Sequence, residues 1–107
     1  MHGYTVYVIE EFWNSAKRNV PQKYHDLIKK KLEFFKTNPR YPSLNTKPYA
    51  CSSKTKEALK RQGVDEIWEF YVNGKKYRCV FYVLHATKEL IVVFIGSHDQ
   101  IRNKYSA

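Results

Sequence analysis

Three residues in the second half of the sequence carry side chains that could together perform acid–base chemistry on an anion: Glu69, Arg78 and His98. A carboxylate can accept a proton, and a guanidinium stabilises negative charge with a planar set of donors. An imidazole titrates near neutral pH and can both take and give a proton. Each such proton-transfer role is worth roughly a hundred- to ten-thousand-fold in rate. Joint action requires a fold that brings the three residues together.

The stretch that contains them predicts three consecutive strands, reading IWEFYV, NG, KKYRCVFYVL, HATK and ELIVVFIGSHD. Asn73-Gly74 between two aromatic and β-branched runs predicts a hairpin with a two-residue type I′ turn. This turn would place Glu69 directly opposite Arg78. Because side chains alternate between the faces of a strand, one face is predicted to carry Trp68, Phe70, Val72, Tyr77, Cys79, Phe81 and Val83. The other face is predicted to carry Ile67, Glu69, Tyr71, Lys76, Arg78, Val80 and Tyr82.

The N-terminal third predicts a strand over residues 4–9, a short helix over 10–18 and a second helix from Pro21 to the Asn38-Pro39 pair. Leucine, isoleucine and aromatic residues recur in the second helix at spacings of three and four, which is an amphipathic pattern. We therefore predict a single α+β domain over 1–107. It has a mostly antiparallel twisted sheet of about four strands, with the two N-terminal helices packed on one face. These helices should cover the Trp68 face and leave the Glu69 face open, at least in part.

The chain is strongly basic. Its 19 lysines and arginines against 10 acidic residues give a formal net charge of +9. Such an imbalance favours a polyanionic partner, whether nucleic acid, an acidic protein or a membrane surface. No apolar run approaches the roughly 20 residues of a membrane span, and the N-terminus lacks the pattern of a signal peptide. We expect a cytosolic protein. Cys51 and Cys79 are not spaced as metal ligands or as a redox motif, so neither a metal site nor a cofactor is predicted.

Part of this charge lies in a predicted basic loop over residues 40–66, in which 54–62 could form a short helical turn. Two interpretations are open for its cations: a solvated face, or a clamp on phosphates that would make binding depend on salt. These cations are Lys47, Lys54, Lys56, Lys60 and Arg61. Two interpretations are also open for Glu69 and Arg78. They could act together at a functional site, or they could form only an exposed cross-strand ion pair, which would stabilise the fold by at most about 1 kcal/mol.

Several motifs resemble those of the RelE/ParE superfamily, the toxins of bacterial type II toxin–antitoxin modules. The resemblance rests on the order strand–helix–helix–three strands, on NP at the end of the second helix and on PSL after it. It also rests on WEF-x-V-x(4)-YR-x-x-FYV in the hairpin and V-x-F-IG-x-HD in the last strand. It extends over almost the whole chain and is strongest from Ile67 onward.

The resemblance implies that the protein is a bacterial, cytoplasmic toxin. RelE-like members are ribosome-dependent, metal-independent mRNA endonucleases, and the YoeB branch among them is similar in pairing a glutamate with a histidine. By this resemblance Glu69 or His98 would take the proton of the 2′-hydroxyl, and Arg78 would stabilise the charge on the phosphate. His98 would then protonate the leaving 5′-oxygen.

Further contacts and partners are expected. Tyr71 and Lys76 would contact RNA because they share the face of Glu69 and Arg78. By the resemblance, Tyr105 would also contact RNA, and the basic surface would dock ribosomal RNA around the mRNA. An acidic segment of a cognate antitoxin would cover the same face. Two alternatives are a ParE-like poison of DNA gyrase and a non-catalytic binding module that keeps Arg78 for contact with antitoxin or nucleic acid.

Overall fold

The computed structural model describes residues 1–106; the last residue of the predicted 1–107 domain lies outside the described residues. The strands are β1 (Thr5–Val8), β2 (Lys47–Pro48), β3 (Glu66–Tyr71), β4 (Arg78–Leu84) and β5 (Glu89–Gly96). The helices are α1 (Glu10–Asn19), α2 (His25–Thr37), α3 (Ser53–Arg61) and α4 (His98–Tyr105), with 3-10 turns at Gln22–Tyr24 and Pro42–Leu44. None of the helices in residues 1–106 has the length and apolar character that crossing a membrane requires.

The five strands form one mixed sheet in the order β1-β5-β4-β3-β2. Strand β1 runs parallel to β5, and all other neighbours are antiparallel. The predicted α+β class is confirmed, but the sheet has five strands instead of about four. The added strand is β2, whose Lys47 and Pro48 pair with Glu69 and Trp68 inside the predicted loop. Two residues are too few to show an alternating pattern, and proline is tolerated there because β2 is an edge strand.

Helices α1 and α2 pack on the predicted core face of the sheet. Helix α1 has acidic residues in its first turn and basic residues in its last, which matches the helix dipole. The ring of Phe35 in α2 stacks on Phe70 with centroids 4.5 Å apart and meets Phe81 edge-on at 4.7 Å. All three rings are fully buried. The predicted packing of the two N-terminal helices is therefore confirmed.

The opposite face, expected to stay open at least in part, is largely covered as well, and Arg78 there is only 14% exposed. Helix α3 packs Leu59 against this face, and α4 packs Ile101 and Tyr105 there, forming a second buried cluster with Val80 and Phe94. Ser52 caps α3, and Ser97 caps α4 in a capping box with Gln100. The sequence pattern missed α4, and left α3 open, because helices of eight and nine residues are marginal alone and depend on packing.

The hairpin between β3 and β4 is longer than predicted. The Val72 amide donates to the Tyr77 carbonyl, and the Lys76 amide donates to the Asn73 carbonyl, so four residues form the loop. Of the Asn-Gly pair, only Gly74 has positive φ, at 53°, whereas a type I′ turn needs positive φ at both. Glu69 consequently lies opposite Val80, not Arg78. A shift of two residues keeps every side chain of β3 and β4 on its predicted face, because strands have a period of two.

Candidate functional site

Arg78 and Glu69 form a largely buried ion pair at one end of the sheet. The Nη1 atom of Arg78 donates to Oε1 of Glu69 at 2.9 Å, diagonally across β3 and β4. The Glu69 side chain is only 3% exposed and that of Arg78 is 14% exposed. The carboxylate is therefore held inside the protein, while the edge of the guanidinium still reaches the surface.

Tyr71 forms an aromatic platform beside this pair. The guanidinium carbon of Arg78 lies 4.9 Å from the centroid of the Tyr71 ring, and Nζ of Lys47 lies 5.2 Å from the same centroid. Lys47 comes from the edge strand β2, where it pairs with Glu69. Two cations thus lie against the same tyrosine ring, and one of them is paired with a carboxylate.

Sequence reasoning placed Lys47 among the cations of the basic loop but not beside Tyr71 and Arg78. Only the pairing of β2 with β3 places it next to Tyr71, and a two-residue strand has no sequence signal of its own. It could have been found only by knowing that the segment after Leu44 returns to the sheet edge.

The Arg78 guanidinium keeps donor capacity for an anion. Arginine carries five N–H donors in a fixed plane, and the structure shows one bond, from Nη1 to Glu69. Its Nε is buried and lacks a hydrogen-bond partner within the described residues. An ion pair on one side and an aromatic ring beneath hold the group in one orientation, so it can meet a phosphate without reorganising.

His98 is the first residue of α4, not the end of a strand as predicted. It is exposed, and within residues 1–106 its imidazole has no hydrogen-bond partner. Arg78 pairs in the sheet with Gly96, which precedes His98 by two residues. Arg78 and His98 therefore lie at the same end of the molecule. Gly96 is constrained by the helix start, because a Cβ there would lie 2.8 Å from Oε1 of Gln100, the atom that accepts the Ser97 amide.

Tyr105 lies inside the second cluster, which does not fit the predicted contact with RNA. It is 3% exposed, and its hydroxyl is 3.0 Å from that of Tyr82. Its ring packs against Tyr49, Tyr82 and Phe94. Burial raises the pKa of the Tyr105 hydroxyl far above its usual range, and also raises the pKa of Tyr82. The tyrosine pair is a packing element in this conformation.

The remaining predicted contacts lie apart from the Arg78 pair. Lys76 is in the hairpin loop, with its Nζ 5.6 Å from the centroid of Tyr77, and so is not beside Tyr71 on the second face. The predicted basic loop contains helix α3, and the four cations predicted to bind RNA are exposed on it: Lys54, Lys56, Lys60 and Arg61. Within residues 1–106 the structure contains no group of three or more histidine, cysteine or acidic residues suited to a metal ion.

Neither a protein-family model nor a curated protein sequence matches the chain. Solved structures do match it. The archaeal RelE–RelB complex from Pyrococcus horikoshii superposes with a TM-score of 0.59 at 8% identity, covering 88% of this chain and 93% of that chain. A copper-bound mutant toxin from Helicobacter pylori gives 0.59 at 15% identity, covering 92% and 98%. A mutant of the E. coli toxin RelE in the free state gives 0.55 at 17% identity, covering 96% and 93%. The predicted RelE-like fold is confirmed.

Proposed function

We propose that this chain, which has the RelE-like toxin fold, is the toxin of a toxin–antitoxin pair and cleaves mRNA on the ribosome. The observation that carries the proposal is the state of Arg78, whose guanidinium is held by Glu69 and Tyr71 and remains partly exposed. A fixed, partly desolvated cation stabilises charge that develops at a phosphate far better than a mobile surface cation does.

In the proposed reaction the 2′-hydroxyl attacks the adjacent phosphorus and the bond to the 5′-oxygen breaks. The products are a 2′,3′-cyclic phosphate and a free 5′-hydroxyl, so one proton must leave the first oxygen and one must reach the second. We assign this transfer to His98, the exposed member of the set. Its neutral imidazole takes the proton of the 2′-hydroxyl, and the imidazolium that results donates a proton to the leaving 5′-oxygen.

Glu69 is then a positioning residue for Arg78. The predicted role as a base would require a carboxylate that is 3% exposed to leave its ion pair. Glu69→Gln separates the two roles, because an amide oxygen can still accept the bond from Arg78 but cannot take a proton. We expect Glu69→Gln to retain cleavage within about tenfold and to keep the pH profile of the wild type. A loss of roughly a hundred- to ten-thousand-fold would identify Glu69 as the base instead.

The central experiment maps mRNA ends after incubation of the purified protein with programmed ribosomes. Arg78→Lys keeps the positive charge and the contact with Glu69 but removes the planar set of donors, and we expect it to cleave at least about a hundredfold more slowly. Arg40→Lys is the matched control, because Arg40 also stacks on an aromatic ring, 5.1 Å from the centroid of Trp68. We expect His98→Gln to cleave mRNA as slowly as Arg78→Lys does. His2→Gln, a change at another exposed histidine, should cleave at the wild-type rate.

Full cleavage by both Arg78→Lys and His98→Gln would refute the nuclease proposal. Intact mRNA with induction of the DNA-damage response on expression would identify the gyrase poison. Intact mRNA with normal growth would identify a non-catalytic binding module.

The proposed partner is an acidic antitoxin. The structure from Pyrococcus horikoshii holds RelE together with RelB, and the charge of +9 on this chain suits an acidic ligand. Co-expression of the neighbouring reading frame should restore growth and yield a complex on size-exclusion chromatography.

A further inference from the structure

A basic cleft lies at the same end of the sheet as Arg78, on the opposite face. It has a volume of about 460 Å³ and is formed by the last turn of α1, the chain that follows it, His25 of α2, and Tyr77. Its charged lining consists of Lys17 and Arg18, with no acidic residue in the lining. A cleft of one charge sign concentrates ligands of the opposite sign.

Further cations surround the cleft. Nζ of Lys23 lies 5.2 Å from the centroid of Tyr24, and Nζ of Lys76 lies 5.6 Å from that of Tyr77. The two tyrosine rings are themselves 6.0 Å apart. Basic groups interleaved with aromatic rings are a pattern typical of surfaces that bind single-stranded nucleic acid.

Local helix stability does not explain this arrangement. Cations in the last turn of α1 complement the helix dipole, but Lys23 and Lys76 come from the connection before α2 and from the hairpin loop. Within residues 1–106, Lys17, Lys23 and Lys76 form no ion pair. Arg18 contacts Glu11 at 3.3 Å, and both of these side chains are exposed to solvent. Three separate segments therefore bring uncompensated positive charge to one place.

The cleft is structurally joined to the Arg78 site. Tyr77 and Arg78 are consecutive, so their side chains project to opposite faces of the same strand end. On the other side, Asn19 of the cleft donates to the carbonyl of Ile95 at 2.9 Å and accepts from Gln100 at 3.2 Å. Gln100 in turn bonds the amide of Ser97, the residue before His98. An extended ligand bound at Arg78 could therefore continue around this end of the sheet and into the cleft.

We infer that the cleft binds the phosphate backbone of the single-stranded RNA that flanks the cleaved step. The inference rests on the proposed function for the identity of the ligand. A single strand can turn around the end of a sheet, whereas a duplex is stiff over many base pairs. Lys17, Arg18 and Lys23 contact phosphates as charges, so they contribute affinity without sequence preference.

The test measures the affinity of a labelled, uncleavable 2′-O-methyl RNA oligonucleotide by fluorescence anisotropy over a series of salt concentrations. The test variant carries Lys17→Gln, Arg18→Gln and Lys23→Gln. The control carries Lys29→Gln, Lys30→Gln and Lys36→Gln, three exposed lysines on α2 away from the cleft, and loses the same net charge. For a single strand, each lost phosphate contact reduces the magnitude of the negative slope of log affinity against log salt by about 0.7. The slope of the test variant should therefore be smaller in magnitude by about 2. The control should keep its slope.

Equal effects of the two triple variants on affinity and slope would overturn the inference, since net charge alone would then explain binding. Unchanged affinity in the test variant would overturn it too, and so would a loss of antitoxin binding with normal RNA binding. Circular dichroism of both variants is the check that they are folded. Cleavage by Arg78→Lys is measured separately, so failure of the proposed nuclease is distinguishable from failure of the cleft.

Discussion

Removal of Arg78 is predicted to destabilise the fold through the carboxylate it leaves behind. In Arg78→Ala the Glu69 side chain, 3% exposed, would be a buried charge without a cation. Breaking a buried ion pair by deleting one partner costs about 3–5 kcal/mol. That loss is a large part of the 5–15 kcal/mol typical of a domain, and for this reason lysine, not alanine, is the substitution chosen at Arg78 for the cleavage assay.

The reverse deletion should cost less. In Glu69→Gln the Arg78 guanidinium keeps its position over Tyr71 and its 14% exposure to water, so we expect a loss of about 1–2 kcal/mol. The double variant Glu69→Gln/Arg78→Ala should be more stable than Arg78→Ala alone, because glutamine leaves no buried charge. A second substitution that restores stability is the signature of this mechanism.

Urea unfolding followed by circular dichroism measures all three variants. With a slope of about 1.5 kcal/mol per molar urea, a loss of 3 kcal/mol lowers the midpoint by about 2 M. A loss under about 1 kcal/mol in Arg78→Ala, or a double variant less stable than that single variant, would refute the reasoning.

Three further predictions concern titratable groups. Burial raises the pKa of Tyr105 above its usual value of 10; wild type should therefore lose stability relative to Tyr105→Phe as pH rises above about 10, where the unfolded chain releases the proton, as urea midpoints will show. Burial also raises the pKa of the Cys79 thiol, so Ellman's reagent should modify Cys51 first and Cys79 only on unfolding; equal rates would contradict this. Hydrogen bonds from His85 and then Trp68 lower the pKa of Glu66. Relative to Glu66→Gln, wild type should have a small extra stability, under about 1 kcal/mol, above pH 4.5 that disappears as pH falls through the lowered pKa.

The longer elements were predictable because each has a pattern of its own. The stripe in α2 and the alternation in β3 and β4 identified both their type and their buried faces. The hairpin register was wrong by two residues, since the turn type depends on a backbone conformation at Asn73 that residue identity does not impose. The faces were still right, because an even shift preserves alternation.

The covering of the second face was not predictable in the same way. Helices α3 and α4 gain their stability from packing on the sheet, and their local signals are confined to a capping box and a few apolar residues. Their position decides that Tyr105 is buried with Tyr82. Because of this covering, the position of Tyr105 does not fit the predicted contact with RNA.

By itself, the sequence determined that Glu69, Tyr71 and Arg78 share a face, because alternation along a strand is a local property. Only the tertiary structure decided that the face is covered, that Lys47 joins Arg78 on Tyr71, and that a basic cleft lies on the other side of the same strand end. Exposure, charge clustering and clefts arise from segments far apart in the chain, and no local pattern specifies how close they come.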